Sequence, residues 1–390
     1  MTTQEGTGTR LVAGVMSGTS LDGVDVALVR LAGSGRDVRV MPLESFSTPY
    51  SDELKTRILA LADPSNPAAT STAGALAALH VELADVYSAA IRSAVADAGR
   101  SLAELDLVGC HGQTVFHDPE AGVTLQLGDP ARMAQQLGVP VVGDFRQGDM
   151  ALGGEGAPLI PYMDWALFTH DTEHRLLLNL GGIANVTSLP PACDREAVLA
   201  FDTGPANMLL DGLARELTGE PMDRGGALAL AGQADMTVVE ALLNHPYFRR
   251  RPPKSTGREL FSAAYLNDFL GRTAHLGVED RMATAAAVTV QSVARAVRDF
   301  LPGKPQRMWV SGGGVHNRAV MQGLAAALTG LVVEPLSAAG YDPDAKEALC
   351  FALLAHEALN GVATGMPSVT GASGRAFSGK ICPAGTPAAR

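Results

Sequence analysis

The sequence predicts two α/β domains of related design with a cleft between them. Three observations carry that expectation. The chain has 390 residues, room for two domains at about 150 residues each. Each half opens on a strand–glycine loop–strand unit, first at Leu11–Leu31 and again from Arg175, and continues in mixed strands and helices. Glycine is in excess, 43 of 390 residues, about 11% against an average near 7%. Such an excess fits either loose tails or backbone that approaches a ligand closely.

Composition narrows the function. A hydrophobic share of 46% and a charged share of 18% are those of a folded globular chain. The net charge of −11, from 30 Lys and Arg against 41 Asp and Glu, argues against a nucleic-acid-binding surface. It does not exclude an anionic small molecule, because backbone amides can hold phosphate. No basic segment leads into a clean apolar run at the N-terminus, so no signal peptide is expected. No run approaches the 18 apolar residues of a membrane span, so no membrane is expected. Cys110, Cys193, Cys350 and Cys382 are far apart and form no C-x-x-C pair. They read as reduced thiols of a cytoplasmic protein rather than zinc or iron–sulfur ligands. His170 and His174 stand beside Asp171 and Thr172 in a solvated stretch and are not read as metal ligands.

The elements follow in order. Leu11–Leu31 holds two apolar runs around a Gly/Ser/Thr/Asp centre, a hairpin with a wide loop. Arg39–Ser47 supplies a third strand. Ser51–Ala62 and Ala73–Ala98 have helical spacing. Leu105–Cys110 is a short buried strand that runs into His111-Gly112-Gln113-Thr114, and Val139–Gly143 is another, ending at Asp144-Phe145-Arg146. In the second half, Arg175–Leu180 and Val186–Leu189 flank Gly181-Gly182. Val198–Phe201 ends at Asp202-Thr203-Gly204-Pro205, with a helix next. Residues 281–301 form a long helix. Arg307–Val310 leads through Ser311-Gly312-Gly313-Gly314 to a helix ending near Leu328, and Ala345–Leu359 is a further helix. Residues 361–390 read as loops and a loose tail, with Ser368–Phe377 as the part that packs back. The domain division expected is 1–145 plus roughly 360–390, against 146–359.

Several loops have the residue types of a phosphate site. Ser17-Gly18-Thr19-Ser20-Leu21-Asp22-Gly23 offers amides and hydroxyls to phosphate oxygens, and Asp22 could hold a water on a divalent cation. A plain hairpin needs only two such residues. It is not a P-loop, since no G-K-[ST] follows and a strand comes next. Asn179-Leu180-Gly181-Gly182-Ile183-Ala184-Asn185 repeats the logic, or is a tight Gly-Gly turn. Ser311-Gly312-Gly313-Gly314-Val315-His316-Asn317 joins a strand to a helix, where a flat group could lie on the glycines and negative charge is favoured. Asn317 could equally be the helix cap. Asp202 stands where ligands of α/β sheets collect and can take a proton from a hydroxyl or water, or cap the next helix. Arg146 can orient an anionic or hydroxylated ligand.

Two hairpin phosphate loops plus a strand–GGG–helix loop resemble the actin, Hsp70 and sugar kinase superfamily. GVMSGTSLDGVDVAL, GCHGQTVFHDP, GDFRQGDMALGGEGAPLIP, NLGGIANVT, FDTGPANMLLD, KSTGRELF and SGGGVHNRAVM, spread from residue 14 to residue 321, resemble the anhydro-N-acetylmuramic acid kinase family over nearly the whole chain. The resemblance implies two ribonuclease-H-like domains with ATP and sugar in a central cleft. It implies cleavage of the 1,6-anhydro ring of anhydro-N-acetylmuramic acid by water with phosphorylation of O6, in cell-wall recycling. Asp202 matches the catalytic aspartate that activates the water. Ser17, Gly18, Thr19, Ser20, Leu21, Asp22, Gly23 and Val24 match the ATP loop, joined by Gly181, Gly182, Asn185, Gly312, Gly313, Gly314 and Asn317. His111, Gln113, Thr114, Arg146 and Glu347 match the sugar site. Mg²⁺ would be held through phosphates and water, and the protein would be a homodimer. Ala206 stands where the family usually has glycine, and Glu155 where glutamine is expected. A kinase of another sugar, or an actin- or Hsp70-like switch, are the competing expectations; the cysteine spacing excludes an iron–sulfur ATPase activator.

Overall fold

The computed structural model describes residues 8–18, 21–62, 73–257 and 260–385. The chain divides into two compact units, Met1–Leu167 with Ala345–Arg390, and Phe168–Asp344. Among the described residues the twelve strands are β1 (Arg10–Ser17), β2 (Gly23–Ala32), β3 (Arg39–Pro49), β4 (Leu107–Asp118), β5 (Val123–Leu127), β6 (Val141–Gly143), β7 (Arg175–Leu180), β8 (Ile183–Leu189), β9 (Leu199–Pro205), β10 (Arg307–Ser311), β11 (Val332–Pro335) and β12 (Lys380–Cys382).

The first unit has a seven-stranded sheet of order β12-β6-β4-β1-β2-β3, with β5 paired to β4. Strands β1, β2 and β3 form an antiparallel meander, β4 runs parallel to β1, and β6 runs parallel to β4. Alternation along β1 sends Leu11, Ala13 and Val15 into one core with Leu79, Leu83, Tyr87 and Ile91 of the helix Ala73–Asp97. The opposite face presents Gly14 and Gly109, paired in register on β1 and β4. There the helix Lys346–Leu359 lies against the sheet so closely that a Cβ on Gly14 would stand 1.8 Å from the Ala348 carbonyl oxygen. The helix Pro130–Leu137 shows how local signals set an element's ends. Asp129 caps its first amides, Pro130 begins it, and Gly138 ends it at φ 73°.

The second unit repeats the plan, with β9-β8-β7-β10-β11. A three-strand antiparallel meander again continues through its first strand into two parallel strands. Its core gathers Leu176, Leu178 and Leu180 of β7 with Leu209, Leu213, Met282, Val293 and Val297 of the helices Asn207–Thr218 and Val278–Phe300. Both units therefore carry the ribonuclease-H-like strand order.

The structure departs from the sequence expectations at five places. The units change over at 167/168 and 344/345, not near 145 and 360; the second boundary precedes the helix Lys346–Leu359 because that helix packs on β1 and β4 through the two glycines. Strand β4 runs on through His111, Gln113 and Thr114, since β5 pairs with that extension. Strand β9 contains Asp202, because β8 pairs with it as far as Pro205. The tail supplies β12, antiparallel to β6. The 25-residue helix Ala73–Asp97 is long and apolar enough to cross a membrane, with a window of mean hydropathy 1.2, yet it buries its apolar face in the first core.

Candidate active site

The first unit assembles its polar residues at the end of β1 and midway along β4. The Ser17 hydroxyl donates to Gln113 Oε1 at 2.5 Å, and it lies 2.7 Å from the Tyr50 hydroxyl. Tyr50 in turn donates to the Tyr87 hydroxyl at 3.2 Å. Burial pushes Tyr50 up to about 12, so it stays a neutral donor. Gln113 also reaches the Gly18 carbonyl at 3.4 Å, which ties the loop after β1 to β4. Leu21, at φ 60°, closes the turn with its amide on the Gly18 carbonyl at 3.2 Å. Thr19 and Ser20 lie outside the described residues.

His111, Arg146 and Glu347 form a second group. His111 Nδ1 is 2.7 Å from the Gly112 carbonyl oxygen, so that nitrogen carries the proton. Nε2 then accepts from Arg146 Nε at 3.1 Å and Nη2 at 2.9 Å. Burial and the neighbouring guanidinium hold His111 well below the ordinary histidine value, so the ring is neutral. Arg146 Nη1 donates to the Gly156 carbonyl at 2.7 Å. These bonds leave two of its five N–H donors for a ligand. Phe351, one turn beyond Glu347, packs on the His111 ring with centroids 4.7 Å apart. Glu347 is half-buried, and burial raises its carboxyl against the opposing pull of Lys346 and Arg146. Thr114 accepts from Gln126 Nε2 at 3.3 Å.

Other predicted loop residues have structural duties. Val24 is fully buried in the first core, and a Cβ on Gly23 would stand 2.2 Å from the Thr48 carbonyl oxygen on β3. Strand pairing thus accounts for Gly23 and core packing for Val24. Asp22 is exposed at the start of β2, with its carbonyl accepting from the Tyr50 amide at 3.3 Å.

In the second unit, Asp202 is half-buried on β9, opposite Asn185 of β8. Its carboxylate Oδ2 accepts from the Thr256 amide at 2.8 Å. Its carbonyl accepts from the Tyr247 hydroxyl at 2.7 Å, and its amide donates to the Lys254 carbonyl at 3.2 Å. The next helix begins at Asn207 with Ala206 in the cap position, so Asp202 is not its cap. Ala206 itself is buried, and its amide donates to the Gly182 carbonyl at 3.0 Å.

The glycine turns meet around Asn207. Its amide donates to the Gly181 carbonyl and its side chain to the Leu180 carbonyl, both at 3.0 Å. Gly312 has φ 78°, where side chains are strained, and a Cβ there would stand 2.5 Å from Asn179 Oδ1. Gly314 is buried, and a Cβ would stand 2.5 Å from Leu180 Cβ. Of these three glycines only Gly313 is exposed, and a Cβ there would meet nothing closer than ordinary contact, Asn207 Nδ2 at 3.5 Å. Asn317 caps the helix Arg318–Ala327, its Oδ1 accepting from Ala319 and Val320. The capping alternative for Asn317 is thus present in the structure.

Sequence reasoning missed Tyr50, Asn207, Tyr247, Lys254 and Thr256. The KSTG stretch carried a signal for the last two, since it belonged to the family resemblance. No cluster of three or more metal-ligating side chains occurs among the described residues.

The sequence profile of the anhydro-N-acetylmuramic acid kinase family matches residues 10–384. A protein of that name from Salinibacter ruber is 49% identical over 386 residues, covering 95% of this chain and 96% of its own. Another from Gloeobacter violaceus is 45% identical over 379 residues, covering 96% and 99%. A third, from Caldanaerobacter subterraneus, is 38% identical over 386 residues, covering 95% and 96%. With its paired strand orders, its glycine turns and its anchored aspartate, the chain belongs to the anhydro-N-acetylmuramic acid kinase family.

Proposed function

We propose that this chain opens the 1,6-anhydro ring of 1,6-anhydro-N-acetylmuramic acid with water and phosphorylates O6 from ATP. The products are N-acetylmuramic acid 6-phosphate and ADP, in peptidoglycan recycling. The observation that carries the reading is Asp202, a half-buried carboxylate held by the Thr256 amide on a strand whose backbone is fixed at both polar atoms. Asp202 takes a proton from the water that attacks the anomeric carbon. The C1–O6 bond breaks, and O6 becomes the acceptor of the γ-phosphoryl group.

In the first unit, Arg146 presents its two unused N–H donors to the anionic lactyl group of the sugar, and neutral His111 keeps the guanidinium turned. Gln113, Thr114 and Glu347 complete the sugar side. Ser17, Gly18, Thr19, Ser20, Leu21, Asp22, Gly23 and Val24 provide the phosphate loop, in which Leu21, Gly23 and Val24 act through the backbone. Gly181, Gly182, Asn185, Gly312, Gly313 and Gly314 serve the nucleotide in the second unit, with Gly313 offering the open face. Mg²⁺ neutralises phosphate charge when bound, with Asp22 reaching it through water. The reading places the reaction in the cytoplasm, where ATP is available and the free cysteines stay reduced. It includes the homodimer of the family resemblance.

Product analysis in ¹⁸O water tests it. With ATP, Mg²⁺ and the anhydro sugar, the product should carry label at the anomeric oxygen and phosphate on O6. Absence of sugar-dependent ADP release contradicts the assignment.

A further inference from the structure

Lys254 is the group in the second unit whose burial the proposed chemistry leaves unexplained. Its side chain is 5% exposed. Its ammonium stands 4.6 Å from the Phe300 ring centroid, 4.7 Å from that of Tyr247 and 5.7 Å from that of Phe201. The ammonium makes a long hydrogen bond to the Tyr247 carbonyl at 3.4 Å. An apolar chain would fill this slot without the desolvation that a buried charge incurs. Aromatic faces offset part of that cost, but Arg250 adds a like charge.

The segment that carries Lys254 is also the one that grips Asp202. The Lys254 carbonyl accepts the Asp202 amide, the Thr256 amide donates to Asp202 Oδ2, and the Tyr247 hydroxyl holds the Asp202 carbonyl. Phe201 of the cage is the residue just before Asp202 on β9, and Phe300 ends the helix Val278–Phe300. From these placements, and resting on the reading of Asp202 as the base, we propose that Lys254 is a positioning residue for Asp202. Its caged ammonium anchors the strap 254–256 that fixes the carboxylate.

The surrounding charges agree in sign. Burial and Arg250 draw Lys254 down to about 8, and the negative charge of Asp202 is the influence that opposes them. Phe201 and Phe300 bring no charge, and Tyr247 brings a neutral hydroxyl. The ammonium and Asp202 therefore favour each other's charged form, and loss of one raises the cost of the other.

Kinetic pH profiles of the full chain with Lys254→Met, Lys254→Arg and Asp202→Asn test this. For Lys254→Met, kcat should fall about 10–100-fold, the scale of impaired general-base catalysis, with both KM values little changed. Its acid limb in kcat/KM should move up by about one pH unit, as loss of a nearby opposite charge requires. Lys254→Arg should keep the wild-type acid limb. It should also remove a wild-type alkaline limb near pH 8, because arginine does not deprotonate there. A folded Lys254→Met with wild-type kcat, or with lowered kcat and an unmoved acid limb, overturns the proposal. If that variant does not fold, a wild-type profile without the alkaline limb does so. Asp202→Asn separates the two readings. Turnover by that variant sinks the base assignment and this inference together, whereas a dead Asp202→Asn beside a wild-type-like Lys254→Met sinks only the inference.

Discussion

Gly109→Ala should unseat the helix that carries Glu347. Gly109 on β4 faces the Phe351 carbonyl oxygen, and an added Cβ would stand 2.0 Å from it and 2.8 Å from Ala355 Cβ. Ordinary Cβ contacts begin at 3.4 Å, so the helix must retreat by about 1.4 Å at that turn. The obstacle is backbone, and no rotamer change relieves it. Overpacking of this kind costs about 1–3 kcal/mol. For a unit of roughly 200 residues, that lowers the melting temperature by ~2–4 °C per kcal/mol. The same retreat carries Phe351 off the His111 ring and moves Glu347, one turn earlier. Misplacement of a site group by about 1 Å costs on the order of 100-fold in rate. Differential scanning calorimetry and kcat/KM on the anhydro sugar read both effects. A variant with wild-type melting and wild-type kcat/KM would refute the argument that the two glycines seat this helix.

Two further expectations separate packing from ligand contact and charge from burial. Gly314→Ala should lower stability by about 1–3 kcal/mol through its clash with Leu180. Gly313→Ala should change stability by less than about 0.5 kcal/mol and weaken ATP binding; calorimetric unfolding and ATP titration of the two variants check the contrast. His111 is held well below its ordinary value of 6.5, so the unfolded chain binds a proton in acid that the folded chain refuses. Its contribution is present above pH 6.5 and is lost as pH falls from there toward the depressed folded value. His117, His174 and His356 are lowered by burial in the same direction. His111→Asn should therefore flatten, without abolishing, the decline in unfolding free energy on the acid side, measured by urea titration at a series of pH values.

The meanders were legible because alternating or continuous apolar runs such as Leu11–Val15 and Arg175–Leu180 leave little choice of period. Strand ends were not. Polar residues such as His111-Gly112-Gln113-Thr114 and Asp202-Thr203-Gly204 resemble loops, but a partner strand pairs with them. Asp202 was legible as a candidate carboxylate. Its holders were not, since Tyr247 and Thr256 lie 45 and 54 residues further along the chain. The glycine excess was legible as a total but not by role. Gly14 and Gly109 serve a helix, Gly23 a strand and Gly314 a side chain, while Gly313 is left open. Sequence alone does not say which element covers a glycine, and that also displaced the expected domain boundary. The short edge strand β12 has too few residues to show a period.

The most direct test of the central claim compares the wild type with Asp202→Asn in ¹⁸O water. Each is supplied with ATP, Mg²⁺ and 1,6-anhydro-N-acetylmuramic acid. The wild type should yield sugar 6-phosphate labelled at the anomeric oxygen, with one ADP per product. The variant should yield neither product nor sugar-dependent ADP while still binding ATP. Labelled product from Asp202→Asn at the wild-type rate would contradict the assignment of Asp202 as the base.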